Sequence, residues 1–309
     1  MALSAPMQTS KAPNARSYVR ALWRDLIMLT KPRIIVLLVI TCLCAMLVAS
    51  KGNLDLLSWS LVFHTCFGLA LSAGGANAVN MWYDRDIDAI MTRTRNRPLP
   101  GGRMQPATVL AYGVVLGGVS TAYLALMVNV WTAAMALSGY VFYVFIYTFM
   151  LKRRTVQNIV IGGAAGAFPP LVGWAAVQNG VMDWVPWMMF AIIFLWTPPH
   201  FWALALRKNT DYTKAGVPML PVIKGEAETK AQIVYYMLLL IPVTLWLTVL
   251  QPAFGPIYFV SAAILGAIWL YKCVRLMRTD GTELAMDAFK FSLSYLALLF
   301  AAMVVDTFI

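Results

Sequence analysis

Asn77, Asn80, Asp84 and Asp88 recur at intervals of 3, 4 and 4, which on an α-helix puts all four side chains on one face. The two carboxylates repel each other, and at the C-terminal end of a helix the macrodipole disfavours them further. Such a pair makes sense as part of a cation site. Hard oxygen ligands with an amide and water completing the shell suit Mg2+, an ion usually shared with substrate phosphates. Asp86 points to the other side of the helix, where pairing with an arginine is its expected role. The chain continues Arg93-Thr-Arg-Asn-Arg97-Pro-Leu-Pro-Gly-Gly-Arg103. Arg93 and Arg97, four apart and just beyond the acidic face, are spaced to fork onto phosphate oxygens that the metal does not cover. The prolines and glycines would fix that loop.

A second polar cluster follows the segment Trp196-Thr-Pro-Pro-His200-Phe-Trp202. It runs from Arg207-Lys208-Asn-Thr-Asp211-Tyr-Thr-Lys214 to Pro218-Met-Leu-Pro221. Both clusters set Asp near basic residues ahead of a Pro-Leu-Pro or Pro-Met-Leu-Pro turn. Facing each other, they would form one metal-diphosphate mouth over a membrane cavity. Leaving aside Lys290 and Asp306 at the two ends of the last apolar run, His64 and His200 are the only acidic, basic or histidine residues inside the runs. That argues against an ion-coupled transporter or proton relay, whose charged groups sit near the midplane.

The elements that must position these residues follow from composition. Of 309 residues 61% are apolar and 12% charged, and the mean hydropathy is +0.71, the profile of a polytopic membrane protein. Unsatisfied backbone groups are not tolerated in lipid, so charge-free runs of about 20 residues are expected to be helices. Nine fit: 34–50, 58–82, 107–127, 130–150, 156–177, 185–206, 232–251, 256–271 and 289–306. Asn129 divides the third from the fourth, and Gln251-Pro252 the seventh from the eighth. With the N-terminus inside and the C-terminus outside, only Lys51 of the 24 basic residues lies outside, as positive-inside topology requires. The net charge of +11 is thereby a topology signal, and no nucleic-acid partner follows from it. The polar loops 83–106 and 207–231 then follow the second and sixth spans on the cytoplasmic side. Spans four apart and pointing the same way suggest a weak parallel repeat of four helices with a ninth added.

Residues 1–33 read as a cytoplasmic tail. Around Ser17 to Leu29 it alternates Arg16, Arg20 and Arg24 with Tyr18, Leu22, Trp23 and Ile27, the pattern of a helix lying on the anionic membrane face. The tail's Arg and Ser content with a single acid, Asp25, is also that of an organellar transit peptide, but a bacterial tail is the simpler reading. Residues 34–309 form the nine-helix domain. Cys42, Cys44, Cys66 and Cys273 lie in or beside apolar runs with no zinc spacing, and read as small buried hydrophobes.

With Asn80, Asp84 and Asp88 followed by Arg93-Thr94 and Arg97-Pro98-Leu99, the sequence resembles the UbiA-type intramembrane prenyltransferases. Their first motif is Asn-x3-Asp-x3-Asp, then Arg-Thr-x2-Arg-Pro-Leu. Within that superfamily the likeness is to the haem-farnesylating branch. It rests on Lys152-Arg-Arg-Thr-Val-Gln-Asn158 running through Gly-Ala-Phe-Pro-Pro170, on Pro199-His200-Phe-Trp-Ala-Leu-Ala205, and on Asp211-Tyr-Thr-Lys-Ala-Gly-Val-Pro-Met-Leu-Pro221. The motifs occur in order over roughly residues 30–305. One departure matters: many members carry a second Asp-x3-Asp after the sixth helix, and here Ala215 stands where its second Asp belongs. That puts a second Mg2+, and ligation by Asp211, in question.

The resemblance implies an all-α UbiA-type bundle in a bacterial inner membrane, with its site on the cytoplasmic side. It implies transfer of the farnesyl group of farnesyl diphosphate to a vinyl group of haem B. Asn80, Asp84 and Asp88, with Asp211 as a further candidate, would hold Mg2+. Asn77, Arg93, Arg97, Lys152, Arg153 and Lys208 would hold the diphosphate. Asp84, Asp88 and His200 would be catalytic. His200, about two turns above Arg207 and behind two prolines, is a haem ligand, a proton acceptor or a hydrogen-bonded core residue. His64 is a second haem contact or a packed neutral histidine. Haem A synthase or haem-copper oxidase assembly would be downstream partners, with membrane lipid as solvent. The alternatives are a quinone-ring or chlorophyll-type acceptor on the same fold, or a transporter or non-catalytic oxidase assembly factor.

Overall fold

The computed structural model describes residues 15–250 and 254–309. Among the described residues there is no strand, and nine helices are long and apolar enough to cross a membrane. Helix α1 is Ala15–Thr30 and α2, the first crossing, is Pro32–Ala49. The second crossing, α3 (Trp59–Tyr83), leads into the short α4 (Arg85–Ile90). Then come α5 (Pro106–Met127) and α6 (Val130–Val141), which continues as π-helical turns over Phe142–Leu151. Helices α7 (Asn158–Gly162) and α8 (Ala164–Val177) together make the fifth crossing. The sixth, α9 (Trp184–Arg207), is followed by α10 (Asn209–Lys214) and α11 (Leu220–Ile223). Helices α12 (Gly225–Leu250), α13 (Pro256–Arg278) and α14 (Ala285–Thr307) complete the bundle. The two spans that precede the polar loops are thus each followed by a six-residue helix.

Local chemistry sets the starts of these helices. Proline opens α2, α5 and α13, where its missing N–H costs nothing. Ser58, Asn129 and Asp183 cap α3, α6 and α9, accepting from the N–H groups of Leu61 (3.1 Å), Thr132 (2.8 Å) and Val185 (2.9 Å). Three boundaries differ from the charge-free runs. Helix α12 begins at Gly225 rather than 232, α13 reaches Arg278 rather than 271, and α14 begins at Ala285 rather than 289. Charge-free length measures the hydrocarbon layer, whereas these helices run on into the polar interface. Glu226 and Glu228 suit the first turn of α12, and Lys230 is buried and donates to the Thr279 carbonyl at 2.9 Å. The Gln251-Pro252 division lies outside the described residues.

Small residues let the helices approach closely, as membrane packing requires. A Cβ on Gly75 would lie 2.7 Å from the Gly113 carbonyl oxygen, and one on Gly113 2.7 Å from Val79. Those contacts join α3 to α5. Helix α9 packs on α8, α12 and α14, and α14 also packs on α2, closing the bundle into a ring. The most enclosed crossing is Asn158–Val177, 72% buried, whereas Val130–Leu151 is 17% buried and faces outward. The helix expected along the membrane face is α1. It exposes Val19, Trp23 and Ile27, and it buries Leu29 and Asp25, the latter accepting from Arg103 Nε at 2.9 Å.

Candidate active site

Helix α3 ends at Tyr83, and Asp84 (φ −86°, ψ 5°) joins it to α4. The single continuous helix expected through Asp88 is therefore bent at Asp84. Only Asp84 stands at the C-terminal end of α3. Asp86 and Asp88 fall in the first turn of α4, where the dipole favours negative charge. Backbone bonds carry the helical turn through the bend, from Asp84 N–H to the Asn80 carbonyl (2.9 Å) and from Asp88 N–H to the Asp84 carbonyl (2.8 Å). Asn80, Asp84 and Asp88 are all buried.

Cations surround this donor set. Asn80 Nδ2 donates to Asp84 Oδ2 at 2.9 Å and to Thr148 Oγ1 at 3.2 Å, while Asn80 Oδ1 accepts from Lys31 Nζ at 2.9 Å. Asp84 Oδ2 also accepts from Lys152 Nζ. Arg97 Nη1 pairs with Asp88 at 2.6 Å. The loop beneath is fixed by Thr94 Oγ1 donating to the Asp88 carbonyl at 2.9 Å. Lys152 reaches Asp84 from the π-helical segment, where its N–H bonds the Tyr147 carbonyl five residues back at 2.8 Å. Such wide turns recur at functional sites, and this one brings Thr148 and Lys152 together onto Asn80 and Asp84.

Asp86 pairs with an arginine, as expected. Arg153 donates to it at 2.6 and 2.7 Å and to the Tyr83 carbonyl at 2.7 Å. The guanidinium holds the Asp86 carboxyl down at about 2 and is itself raised by that bond. Arg153 Nη2 also lies 3.5 Å from Asp84 Oδ1, so this arginine bridges the exposed acid and the buried one.

Other expected ligands fall elsewhere. Asn77 Nδ2 donates to the Thr30 carbonyl at 2.9 Å, which ties α3 to the end of α1. Among the described residues Arg93 and Lys208 are exposed and make no side-chain hydrogen bond or ion pair, and Asp211 is half-buried on α10. No three acidic, His or Cys side chains converge on a metal-sized space among the described residues. Asp211 therefore does not complete a cluster with Asp84 and Asp88, in keeping with the Ala215 departure. His64 Nδ1 shares a hydrogen bond with the Tyr123 hydroxyl at 2.5 Å at the α3–α5 contact, and Phe63 lies edge-on to its ring. His64 lies about 28 Å along α3 from Tyr83, at 1.5 Å per residue, whereas His200 is only about 10 Å from the end of α9. His200 is buried, with Nδ1 on Ser292 Oγ at 2.6 Å.

Lys31, which positive-inside topology alone would account for, is part of the site, with its Nζ on Asn80 Oδ1. It takes the left-handed conformation (φ 56°, ψ 63°) just ahead of α2, strain that a non-glycine residue rarely carries. It adds a cation to a helix N-terminus, where the dipole opposes it. Burial, then Arg97 and Lys152, push its ammonium down to about 7. Thr-Lys-Pro at the start of an apolar run was the available signal. Thr148 and Ser292 had none, because their partners are 68 and 92 residues away.

The residues present fit a divalent cation. Asp84 Oδ1 is buried with no hydrogen-bond partner, and Asn80 Oδ1 and the Asp88 carboxylate are further hard oxygen donors. Two buried carboxylates ringed by Lys31, Lys152, Arg97 and Arg153 leave an excess of positive charge, as a metal-bound diphosphate needs.

Residues 38–299 match the UbiA prenyltransferase family. Curated relatives include the protoheme IX farnesyltransferases of Symbiobacterium thermophilum, 52% identical over 92% of this chain and 94% of that protein, and of Synechocystis, 52% identical over 90% and 87%. Among solved structures, a digeranylgeranylglyceryl phosphate synthase superposes with a TM-score of 0.76 at 18% identity, covering 93% of this chain and 98% of that one. A UbiA homolog from Archaeoglobus fulgidus bound to DMAPP and Mg2+ gives 0.63 at 15% identity, covering 91% and 99%. The ring of nine membrane helices, the Asn80–Asp84–Asp88 set and these matches agree: the chain belongs to the UbiA prenyltransferase family.

Proposed function

We propose that this chain transfers the farnesyl group of farnesyl diphosphate to a vinyl group of haem B, giving haem O and pyrophosphate. The observation that carries the reading is the buried Asn80–Asp84–Asp88 set enclosed by Lys31, Lys152, Arg97 and Arg153. Relatives half identical over most of the chain, named protoheme IX farnesyltransferase, support the acceptor. Mg2+, held by Asn80, Asp84 and Asp88, would neutralise the diphosphate as it leaves.

Lys31, Lys152 and Arg97 would trade the protein oxygens for diphosphate oxygens and stabilise the charge that grows on them. Arg153, anchored by Asp86, would add charge from the rim. As the C1–O bond of the donor breaks, the vinyl carbon captures the allylic carbon. Water then adds to the porphyrin-adjacent cation and loses a proton, giving the hydroxyethylfarnesyl side chain. His200 would act on the haem side. The distribution of basic residues supports a site on the cytoplasmic face of a bacterial inner membrane, with haem A synthase or oxidase assembly receiving the product.

Incubating purified protein with haem B, farnesyl diphosphate and Mg2+, then weighing the haem, tests this. A haem gaining one farnesyl and one hydroxyl group is expected. Farnesylation of a quinone ring with no change in haem would overturn it.

A further inference from the structure

The surroundings of His200 define its tautomer. Ser292 Oγ lies 2.6 Å from the Phe289 carbonyl oxygen and 2.6 Å from His200 Nδ1. Each of those contacts needs a proton, and a serine hydroxyl has only one. A carbonyl can only accept, so the hydroxyl proton is on Phe289, and the proton toward His200 belongs to the imidazole. Nδ1 is therefore the protonated nitrogen, and Nε2 carries a bare lone pair with no hydrogen-bond partner among the described residues.

The ring is also held on both faces. Trp196 stacks on one at 4.1 Å and 19°, Phe289 on another at 4.6 Å and 28°, and Phe201 meets it edge-on at 5.9 Å. Trp196 Nε1 donates to the Ser292 carbonyl at 2.8 Å. One serine on α14 thereby ties down both the histidine and the indole stacked on it. Ser292 is fully buried, whereas His200 keeps 8% exposure. Just before it, Pro198 and Pro199 supply no N–H, which frees helix carbonyls and loosens α9 at this depth. With its faces covered and Nδ1 tied, the imidazole can offer a ligand only its Nε2 edge. A histidine whose outer nitrogen donates to an oxygen while the other is bare is the form that binds metals.

Resting on the haem reading above, we infer that Ser292 is a positioning residue that fixes His200 as the Nδ1–H tautomer, so that Nε2 coordinates the iron of the acceptor haem.

The test titrates ferrous haem B into the detergent-solubilised full-length protein. It reads the iron–histidine stretching band and the haem affinity, with Mg2+-dependent farnesyl diphosphate binding as a check on the fold. The native protein should give a histidine-ligated spectrum, and His200→Ala should lose it. Ser292→Ala should shift the band and weaken haem binding by about 10–100-fold, while Ser292→Thr, which keeps the hydroxyl, recovers both. Diphosphate binding should be unchanged throughout. If Ser292→Ala keeps the native band and affinity while His200→Ala loses the ligand, the positioning role is wrong and the haem contact stands. If His200→Ala keeps the native spectrum, the haem reading of His200 itself is wrong. Loss of diphosphate and haem binding together in Ser292→Ala would make Ser292 a packing residue and also overturn the inference.

Discussion

Replacing Asp84 with Asn keeps the side chain's size and removes its charge from a position that is 0% exposed. The Lys152 ammonium, whose side chain is 15% exposed, then faces a neutral amide, and Arg153 Nη2 loses a carboxylate 3.5 Å away. Breaking one side of a buried pair costs about 3–5 kcal/mol. Because Lys152 keeps a narrow route to water, the lower end, about 3 kcal/mol, is expected. The neighbouring Asp86–Arg153 pair has better geometry, but Asp86 is 62% exposed, so Asp86→Asn should cost only about 0–1 kcal/mol. A double variant, Asp84→Asn with Lys152→Met, leaves one bare cation fewer and should be more stable than Asp84→Asn alone, with a coupling between the two substitutions of about 0.5–3 kcal/mol. Haem O formation should be lost in Asp84→Asn and should not return in the double variant, because the proposed Mg2+ site would lack a ligand. The assays are unfolding of the ligand-free protein in detergent and mass detection of the haem product. If Asp84→Asn is as stable as Asp86→Asn, or the double variant is no more stable than Asp84→Asn, the buried pair does not carry the charge described here. Native turnover by Asp84→Asn would refute the metal role.

Arg97→Lys should lower haem O formation by at least tenfold, since an ammonium cannot both hold Asp88 and fork onto phosphate; unchanged activity would leave Arg97 a loop residue. Lys31→Met should make the ligand-free protein harder to unfold while weakening Mg2+-diphosphate binding, because it removes a cation opposed by burial, dipole and neighbours; loss of both stability and binding would contradict this. For Asp86 the carboxyl titrates at about 2 when folded against 3.8 when free. The pair's contribution is therefore whole above about pH 5 and fades as pH falls through 3.8 toward 2. The stability difference between the native protein and Asp86→Asn should accordingly be flat from pH 8 to 5 and shrink below 4, and a difference that changes between pH 6 and 8 would point to another group.

The crossings were legible because a lipid solvent reduces the question to charge-free length, and all nine expected runs correspond to helices. Errors gathered at the ends of α12, α13 and α14, where helices enter water and hydropathy stops reporting on backbone structure. At the site, the 3, 4, 4 spacing identified the donor set and separated Asp86 from it. It could not show the bend at Asp84, which depends on a residue leaving helical φ and ψ rather than on side-chain period. Nor could it show that Asn77 bonds a carbonyl 47 residues earlier, or that Lys152 arrives by way of π-helical turns. Lys31 was hidden for a different reason: a basic residue beside a span already has a sufficient explanation in topology.

The Asn80–Asp84–Asp88 donors are paired with Lys31, Lys152, Arg97 and Arg153, while Asp84 Oδ1 is left without a hydrogen bond. Mg2+ arriving alone would enter a cage of ammonium and guanidinium groups, and diphosphate arriving alone would have to compete with two carboxylates for those cations. Each guest removes what repels the other, because the metal releases the cations and the diphosphate receives them. Binding should consequently be synergistic, and by linkage Mg2+ must raise the affinity for diphosphate by the same factor that diphosphate raises the affinity for Mg2+. The site would then act as a coincidence detector, binding either ion weakly on its own and charged for ionisation only when both are in place.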